Sequence, residues 1–242
     1  EHFNFYAKRS LARRLARRLS AKYADAIVVL GERDLKNYKD KLRRINRIVR
    51  IYNPVTVSLD TKSKLEEKTV LAVGRLTRQK GFDLLLEAWR YIEPEFGDWS
   101  LRIIGDGEEK ENLCNIIKTY HFQNVEIIPY QRDIDQWYMR ASLFALSSRY
   151  EGFVLVMIEA MAKGLPVVSF NCKEGPAELI DDGINGYLVD DGKVELFAEK
   201  LKYLMRDGEL RRRFAEKTDL KLFEFDSTHV LSEWDSLMNS FN

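Results

Sequence analysis

Residues 143–170 read LFALSSRYEGFVLVMIEAMAKGLPVVSF, and they carry the pattern from which the fold can be predicted. Two apolar runs, 143–148 and 166–170, flank a stretch near 153–163 whose apolar residues have helical spacing. Strands that read as continuous apolar runs are buried on both faces of a sheet, as in parallel sheets whose strands alternate with helices. The stretch therefore predicts one strand–helix–strand unit of a parallel sheet.

The same alternation extends outward over residues 70–192. Alternating strands and helices favour an α/β fold, and we expect a doubly wound, Rossmann-like parallel sheet. In such sheets ligands bind beyond the carboxyl ends of the strands. The other predicted strands are 70–75, 100–105, 125–129 and 186–190, and the other predicted helices are near 82–92, 109–120, 134–141, 175–180, 193–206, 209–218 and 227–240.

The first fifty residues differ from this repeat in charge and in pattern. They carry fifteen Lys or Arg against five Asp or Glu, a net charge of +10, whereas the remainder carries −9. A lone helix–strand–helix piece cannot build its own core, so we interpret residues 1–52 as the end of another domain. Its predicted elements are a basic helix at 8–22 with an apolar stripe of Leu11, Leu15, Leu19 and Tyr23, a strand at 26–30 and a polar helix at 32–44.

A linker and a closing segment bound the alternating region. Tyr52-Asn53-Pro54 punctuates the chain as a linker does. Residues 53–220 form the predicted main domain, and residues 221–242 form a C-terminal segment. There Trp234 and Met238 lie four residues apart on one helical face, which predicts that the last helix docks through that face.

The composition is that of a globular protein, with 45% hydrophobic and 32% charged residues. No apolar run approaches the ~20 residues that a membrane-spanning helix needs, and no signal-peptide pattern opens the chain. Only two cysteines are present, Cys114 and Cys172, which favours a reduced setting. We therefore expect a cytoplasmic protein.

Two carboxylates, Glu151 and Glu159, lie eight residues apart in the stretch 143–170. Eight helical residues span roughly 12 Å, which matches the distance between the sugar hydroxyls and the ribose hydroxyls of a nucleotide-sugar. Carboxylates accept strong, charge-assisted hydrogen bonds from hydroxyls. The helix N-terminus between them favours anions, so it is a natural seat for a diphosphate.

Further short motifs accompany these two acids, in a fixed order along nearly the whole chain. They are Tyr52-Asn53-Pro54-Val55, Val73-Gly74-Arg75-Leu76 with Lys80-Gly81, Gly105-Asp106-Gly107, Glu151-Gly152-Phe153, Glu159-Ala160-Met161-Ala162 with Gly164-Leu165-Pro166-Val167, Gly175-Pro176-Ala177-Glu178, and Asp182-Gly183-Ile184-Asn185-Gly186. Together they resemble the retaining, nucleotide-sugar-dependent glycosyltransferases of family 4, which have the two-domain GT-B architecture. The resemblance implies a donor-binding domain together with the end of an acceptor domain.

The resemblance also implies roles for particular residues. Arg75 and Lys80 would neutralise the donor phosphates, Glu151 would hold sugar hydroxyls and Glu159 would hold the ribose. The backbone that follows Gly152 would approach the phosphates, and the loop at Tyr130 would clasp the base. The implied catalytic residues are Arg75, Lys80 and Glu151, and the implied donor-binding residues are Gly74, Gly105, Tyr130, Gly152, Phe153, Val154, Leu155 and Glu159.

The implied activity is transfer of a hexose or N-acetylhexosamine from a nucleoside-diphosphate sugar, with UDP favoured as the nucleotide. The acceptor would be a glycan or a lipid-linked glycan, the anomeric configuration would be retained, and the setting would be bacterial surface-polysaccharide assembly. Cationic side chains and a helix terminus replace a metal in such enzymes, so we expect no metal and no other cofactor. Because the acceptor half is missing, we expect this chain to bind nucleotide but to transfer little sugar.

Structural explanations compete with these roles. The cations from Arg75 to Lys80, with Arg78 between them, also fit a solvated basic loop. Glu151 fits the first turn of a helix, where an acid is favourable by itself. Gly105-Asp106-Gly107 fits a simple turn.

Asp133 and Asp135 have a spacing that a different glycosyltransferase fold uses for metal binding. Capping of the following helix is the simpler interpretation. The histidines His2, His121 and His229 lack metal-ligand spacing.

Three further hypotheses stay open. The chain fits a non-catalytic nucleotide-sugar-binding module, or a nucleotide-sugar epimerase of related shape that would need further acidic and histidine residues. The basic helix at 8–22 fits a solvated face or contact with an anionic membrane surface at the inner membrane face. Nucleic acid is not an expected partner.

Overall fold

A computed structural model of the protein describes residues 11–41, 47–172 and 175–241. The described residues form two compact units. The larger unit is Val55–Phe223, and the smaller unit combines the residues up to Pro54 with those from Glu224 onward. The boundaries predicted from the sequence, after residues 52 and 220, lie close to those of the structure, which fall after Pro54 and Phe223. The assignment of these parts to an acceptor and a donor domain stays a prediction.

The described strands and helices follow the predicted alternation, and in the larger unit their ends differ from the predicted ends by at most three residues. Two 3-10 helices, Arg78–Lys80 and Thr218–Phe225, were not predicted. The strands are β1 (Ile27–Val29), β2 (Ile48–Arg50), β3 (Thr69–Val73), β4 (Ser100–Ile104), β5 (Val125–Ile128), β6 (Leu143–Leu146), β7 (Val167–Phe170) and β8 (Gly186–Val189). The helices are α1 (Leu11–Tyr23), α2 (Glu32–Lys41), α3 (Phe82–Trp89), α4 (Lys110–Thr119), α5 (Asp135–Met139), α6 (Leu155–Ala162), α7 (Pro176–Leu179), α8 (Val194–Arg206), α9 (Gly208–Ala215) and α10 (Ser227–Asn239).

The larger unit is built on a six-stranded parallel sheet in the order β5-β4-β3-β6-β7-β8. The chain runs from the centre of the sheet to one edge and then restarts beside β3 to reach the other edge. This is the Rossmann order, and its switch point lies between β3 and β6. The predicted fold class, a doubly wound parallel α/β sheet, is confirmed.

Alternate residues of the central strands face opposite sides of the sheet. Val70 and Ala72 belong to the core cluster formed with α3, α4 and α8. On the other side, Phe144 of β6 contacts Tyr138 of α5 at a ring-centroid distance of 6.0 Å. Both faces are therefore covered, which explains why these strands read as continuous apolar runs.

The smaller unit pairs β1 with β2 in parallel, and its core includes Val29 and Tyr38. Strand β2 was missed in the sequence because three half-buried residues carry no periodic pattern. Residues 8–10 and 42–44 of the two predicted helices lie outside the described residues. Three residues of the predicted apolar stripe of α1, Leu15, Leu19 and Tyr23, are exposed, and the side chain of the fourth, Leu11, is not among those described.

The last helix is docked, as predicted, but Trp234 and Met238 are not the residues through which it packs. Trp234 and Met238 are 40% and 59% exposed, whereas Val230 and Leu237 are 2% and 5% exposed and pack against Ile51. Val28 of β1 and Val49 of β2 pack against the same cluster. Among the described residues, no helix combines the length and the apolar character needed to cross a bilayer.

Candidate functional site

A cavity of about 520 Å³ opens at the carboxyl ends of β3, β4 and β5. This is where a ligand is expected in a doubly wound sheet. The cavity brings together five of the residues predicted to bind a donor: Gly74, Arg75, Gly105, Tyr130 and Glu159. Its other lining residues are Thr56, Val73, Ile104, Asp106, Gln131, Arg132, Ile134 and Val156.

Glu159 is a buried carboxylate that faces this cavity from α6. Its Oε2 accepts a hydrogen bond of 2.9 Å from the Tyr138 hydroxyl, and its Oε1 accepts one from the Thr56 hydroxyl. Burial, followed by the charge of Glu159, raises the pKa of the Tyr138 hydroxyl well above its ordinary value. Tyr138 therefore stays protonated and remains a donor to the carboxylate.

Thr56 and Tyr138 were not identified from the sequence. Thr56 lies 103 residues before Glu159, and Tyr138 lies 21 residues before it. Tyr138 also reads as an ordinary core aromatic of a short helix. No local pattern links either residue to the carboxylate, because the contacts form only when the sheet assembles.

A second cluster contains Glu151 and Lys80. The Lys80 Nζ lies 2.7 Å from Glu151 Oε1, and the two side chains are 17% and 4% exposed. The Ser148 hydroxyl donates to the same Glu151 oxygen at 2.5 Å. The carboxylate is thus buried, and two donors hold its Oε1.

The local setting of this pair differs from the predicted one. Lys80 ends the 3-10 helix Arg78–Lys80, and Gly81, with φ +64°, separates it from α3. Lys80 is therefore not in the first turn of an α-helix. Glu151 precedes the first residue of α6 by four positions, which removes first-turn stabilisation as the explanation of this acid.

The helical rise behind the estimate of roughly 12 Å between Glu151 and Glu159 applies only from Leu155 onward, where α6 begins. Gly152, Phe153 and Val154 form a loop that leads into α6. The helix begins without a side-chain cap at Val154, whose own side chain is buried. A β-carbon on Gly175 would approach Val154 Cγ2 to 2.7 Å, so the valine packs beside that glycine.

Gly74 forms the border between the cavity and the Lys80–Glu151 pair. It lines the cavity, and a β-carbon placed on it would lie 3.2 Å from Lys80 Cδ and Cε. The aliphatic stem of Lys80 therefore passes over this glycine. At Gly105 a β-carbon would lie 1.9 Å from the Gly74 carbonyl oxygen. The close approach of these two backbone segments therefore explains a glycine at position 105 without any ligand.

Asp106 shapes the outer rim of the cavity. Its Oδ2 accepts from the Tyr130 backbone N–H at 2.8 Å, and its Oδ1 lies 3.1 Å from the Lys110 Nζ. The bond from Tyr130, followed by that from Lys110, lowers the pKa of Asp106 below its ordinary value. Asp106 thus holds the Tyr130 loop in place, while Tyr130 as a whole residue is 72% exposed at the rim.

Asp133 and Asp135 were expected to cap the helix that follows them, and the structure shows other contacts. The N-cap of α5 is Ile134, so Asp133 does not cap this helix. Asp135 lies 2.7 Å from the fully buried Nζ of Lys163. In the part of the chain that the structure describes, no three His, Cys, Asp or Glu side chains are grouped to hold a metal ion. His2 lies outside the described residues.

Residues 58–221 match the family model for glycosyl transferases group 1. Over 241 residues the chain is 36% identical to an uncharacterized glycosyltransferase of Haemophilus influenzae, a match that covers 98% of this chain and 68% of that protein. Over 224 residues it is 35% identical to the amylovoran biosynthesis glycosyltransferase AmsD of Erwinia amylovora, a match that covers 89% and 62%.

Among solved structures, the chain is similar to a mutant of S. aureus TarM in complex with fondaparinux, alpha-GlcNAc-glycerol and UDP. The TM-score is 0.87 and the identity 27%, and the match covers 98% of this chain and 49% of that one. The chain therefore spans about half the length of that structure and about two thirds of the H. influenzae protein.

Proposed function

This chain belongs to the glycosyl transferases group 1 family, and we propose that it binds a nucleoside-diphosphate sugar at the carboxyl ends of its parallel strands. A hexose or N-acetylhexosamine then passes to a glycan or lipid-linked acceptor with retained anomeric configuration. The UDP present in the TarM complex supports UDP as the nucleotide. The role of AmsD in amylovoran biosynthesis supports bacterial surface-polysaccharide assembly as the setting.

The observation that carries this proposal is the placement of two buried carboxylates on either side of Gly74. Glu159 faces the cavity, and Glu151 lies in an ion pair with Lys80 beyond the glycine. A nucleotide-sugar presents hydroxyls at both ends and a diphosphate between them. We infer that the ribose lies at Glu159, the sugar at Glu151 and the diphosphate beside Gly74, Arg75 and Lys80.

The proposed reaction breaks the bond between the anomeric carbon and the diphosphate oxygen, and the electron pair leaves with the diphosphate. Arg75 and Lys80 stabilise the negative charge that grows on this leaving group, and the uncapped start of α6 contributes backbone N–H groups. Glu151 orients the sugar. The acceptor hydroxyl attacks from the face that the diphosphate leaves, and its proton passes to the diphosphate. Because cationic side chains stabilise the leaving group, the proposal uses no metal or other cofactor.

The TarM structure is about twice as long as the part that this chain covers. We infer that acceptor-binding residues are supplied outside that part, so this chain alone binds nucleotide and transfers little or no sugar. Robust transfer by the isolated chain would contradict this inference.

Calorimetric titration with UDP, GDP and ADP, followed by UDP-sugars, tests the donor site. We expect UDP to bind and Glu159→Gln to weaken its binding, because a neutral amide accepts weaker hydrogen bonds from the ribose than a carboxylate does. Glu126→Gln is the matched control, since Glu126 is an exposed carboxylate of the same sheet that does not line the cavity. Absence of binding by all three nucleotides would remove the proposal.

A non-catalytic binding module is the second candidate function. The two candidates differ in the outcome of Glu151→Gln in the whole protein. An enzyme loses turnover in this variant, whereas a binding module has no turnover to lose.

We further propose a cytoplasmic location, with α1 touching an anionic membrane surface at the inner membrane face. Exposed Leu15, Leu19 and Tyr23 on a basic helix support this contact. Flotation with liposomes containing anionic lipid should carry the chain upward, and flotation with neutral liposomes should not. Equal, negligible flotation with both would rule out the contact.

A further inference from the structure

Two separate segments supply the Lys80–Glu151 pair. Lys80 ends the 3-10 helix Arg78–Lys80, and Glu151 lies in the loop 147–154 between β6 and α6. The two residues are 71 positions apart in sequence, so the distance between ammonium and carboxylate depends on how the segments are held together.

Arg149 connects the two segments. Its guanidinium makes two parallel bonds of 2.7 Å to the carboxylate of Asp83 in the first turn of α3. The same group donates to the Arg78 carbonyl oxygen at 2.9 Å, and the Arg149 backbone N–H donates to the Gln79 carbonyl oxygen at 2.8 Å. One residue of the loop thus contacts the segment of Lys80 at three positions.

Other contacts join the same two segments. The Gln79 amide donates to the Tyr150 carbonyl oxygen at 3.0 Å, and the Ser147 hydroxyl donates to the Lys80 carbonyl oxygen at 3.0 Å. A β-carbon on Gly81 would lie 2.1 Å from the Ser147 carbonyl oxygen, so only glycine permits this approach of the two backbones.

The Asp83–Arg149 pair is charged and only partly exposed. Burial alone raises the pKa of Asp83, but the hydrogen bond and the charge of Arg149 outweigh it and hold this pKa below its ordinary value. Neither residue lines the cavity. Their effect on a bound donor must therefore pass through the backbone that they hold.

We propose that Arg149 and Asp83 are positioning residues, which set the separation of Lys80 and Glu151 and thereby the site for the terminal phosphate and the sugar. This inference rests on the proposed function. A bidentate arginine–carboxylate pair has a fixed geometry that lysine cannot reproduce, so arginine is required at 149.

Binding of UDP and of UMP by the full chain tests the proposal. The variants are Asp83→Asn, Arg149→Lys and the double variant, and the control is Arg102→Lys, whose ion pair with Glu126 has the same 2.7 Å length on β4 and β5. We expect each single variant to weaken UDP binding about tenfold, with no further loss in the double variant. UMP binding should stay within about twofold, because UMP lacks the phosphate that reaches Lys80.

A general loss of structure would weaken UDP and UMP binding together, and that result would overturn the proposal. Unchanged UDP binding in Arg149→Lys and Asp83→Asn, or an equal loss in Arg102→Lys, would overturn it while leaving the proposed function intact. Failure of the unaltered chain to bind UDP would overturn the proposed function and this inference together.

Discussion

At the scale of single residues, the hydrogen-bond partners of Glu159 decide whether this carboxylate is ready for a ligand. The Tyr138 hydroxyl and the Thr56 hydroxyl each donate to one of its oxygens. Both oxygens keep a further lone pair that a ribose hydroxyl can use. The carboxylate is therefore oriented before a ligand arrives.

Removal of the Tyr138 hydroxyl should weaken this orientation. We expect Tyr138→Phe to lower the free energy of unfolding by about 1.5–3 kcal/mol, since a hydrogen bond to a buried charge is lost. Nucleotide affinity should fall about three- to tenfold. Denaturant unfolding and calorimetry measure the two effects.

Tyr120→Phe is the matched control, because the Tyr120 hydroxyl is exposed and makes only a 3.5 Å contact with Arg90. If Tyr138→Phe and Tyr120→Phe both bind nucleotide as tightly as the unaltered chain does, then Tyr138 does not orient Glu159 for binding.

The two thiols should differ in reactivity. Burial, followed by the charges of Glu151 and Asp191, raises the pKa of Cys172 to about 12. At pH 8 about one thiol in ten thousand is then ionised. Mass spectrometry after brief iodoacetamide treatment should find Cys114, which is only partly buried, labelled well before Cys172. Equal labelling in the folded protein would contradict the buried setting of Cys172.

At the scale of elements, the start of α3 depends on an ion pair. Asp83 lies in the first turn of α3 and binds Arg149 beyond β6. Because the pKa of Asp83 is lowered in the folded state, its contribution to stability is present above the unfolded pKa, near 3.8, and is lost as pH falls through the folded pKa.

Acid unfolding should therefore differ between the unaltered chain and Asp83→Asn. We expect the unaltered chain to be more stable at pH 6, and this difference to shrink as pH falls below about 4. Denaturant titrations at several pH values measure it. A stability difference that is constant from about pH 6 to about pH 2.5 would show that the carboxylate charge does not contribute.

At the scale of the whole molecule, the cavity proposed as the donor site lies entirely within the larger unit. A ligand that binds only the folded state stabilises the part that binds it, by about 2.7 kcal/mol at about one hundred times its dissociation constant. UDP should therefore raise the unfolding temperature of the larger unit. Hydrogen exchange should show slower exchange in β3, β4 and α6 and little change in β1 and α10.

Glu159→Gln should reduce this stabilisation by about RT times the logarithm of the ratio of the two dissociation constants. A UDP-induced change confined to the smaller unit would place the ligand elsewhere.

The amino-acid sequence by itself determined the elements and the class of the sheet. Apolar runs such as 166–170 and helical spacing such as that near 153–163 are short-range signals, since each depends on neighbours a few residues apart. Glu151, Lys80 and Glu159 were also named in advance, from short motifs. The sequence failed where local pattern is weak, as in β2 and in the exact start of α6 at Leu155.

Only the tertiary structure decided which groups meet. Thr56 reaches Glu159 across 103 residues, and Arg149 reaches Asp83 across 66. The tertiary structure also decided that α10 packs through Val230 and Leu237 and leaves Trp234 partly exposed. Such contacts leave no periodic trace in the chain, since they arise only when the parallel sheet brings the ends of distant strands to one edge.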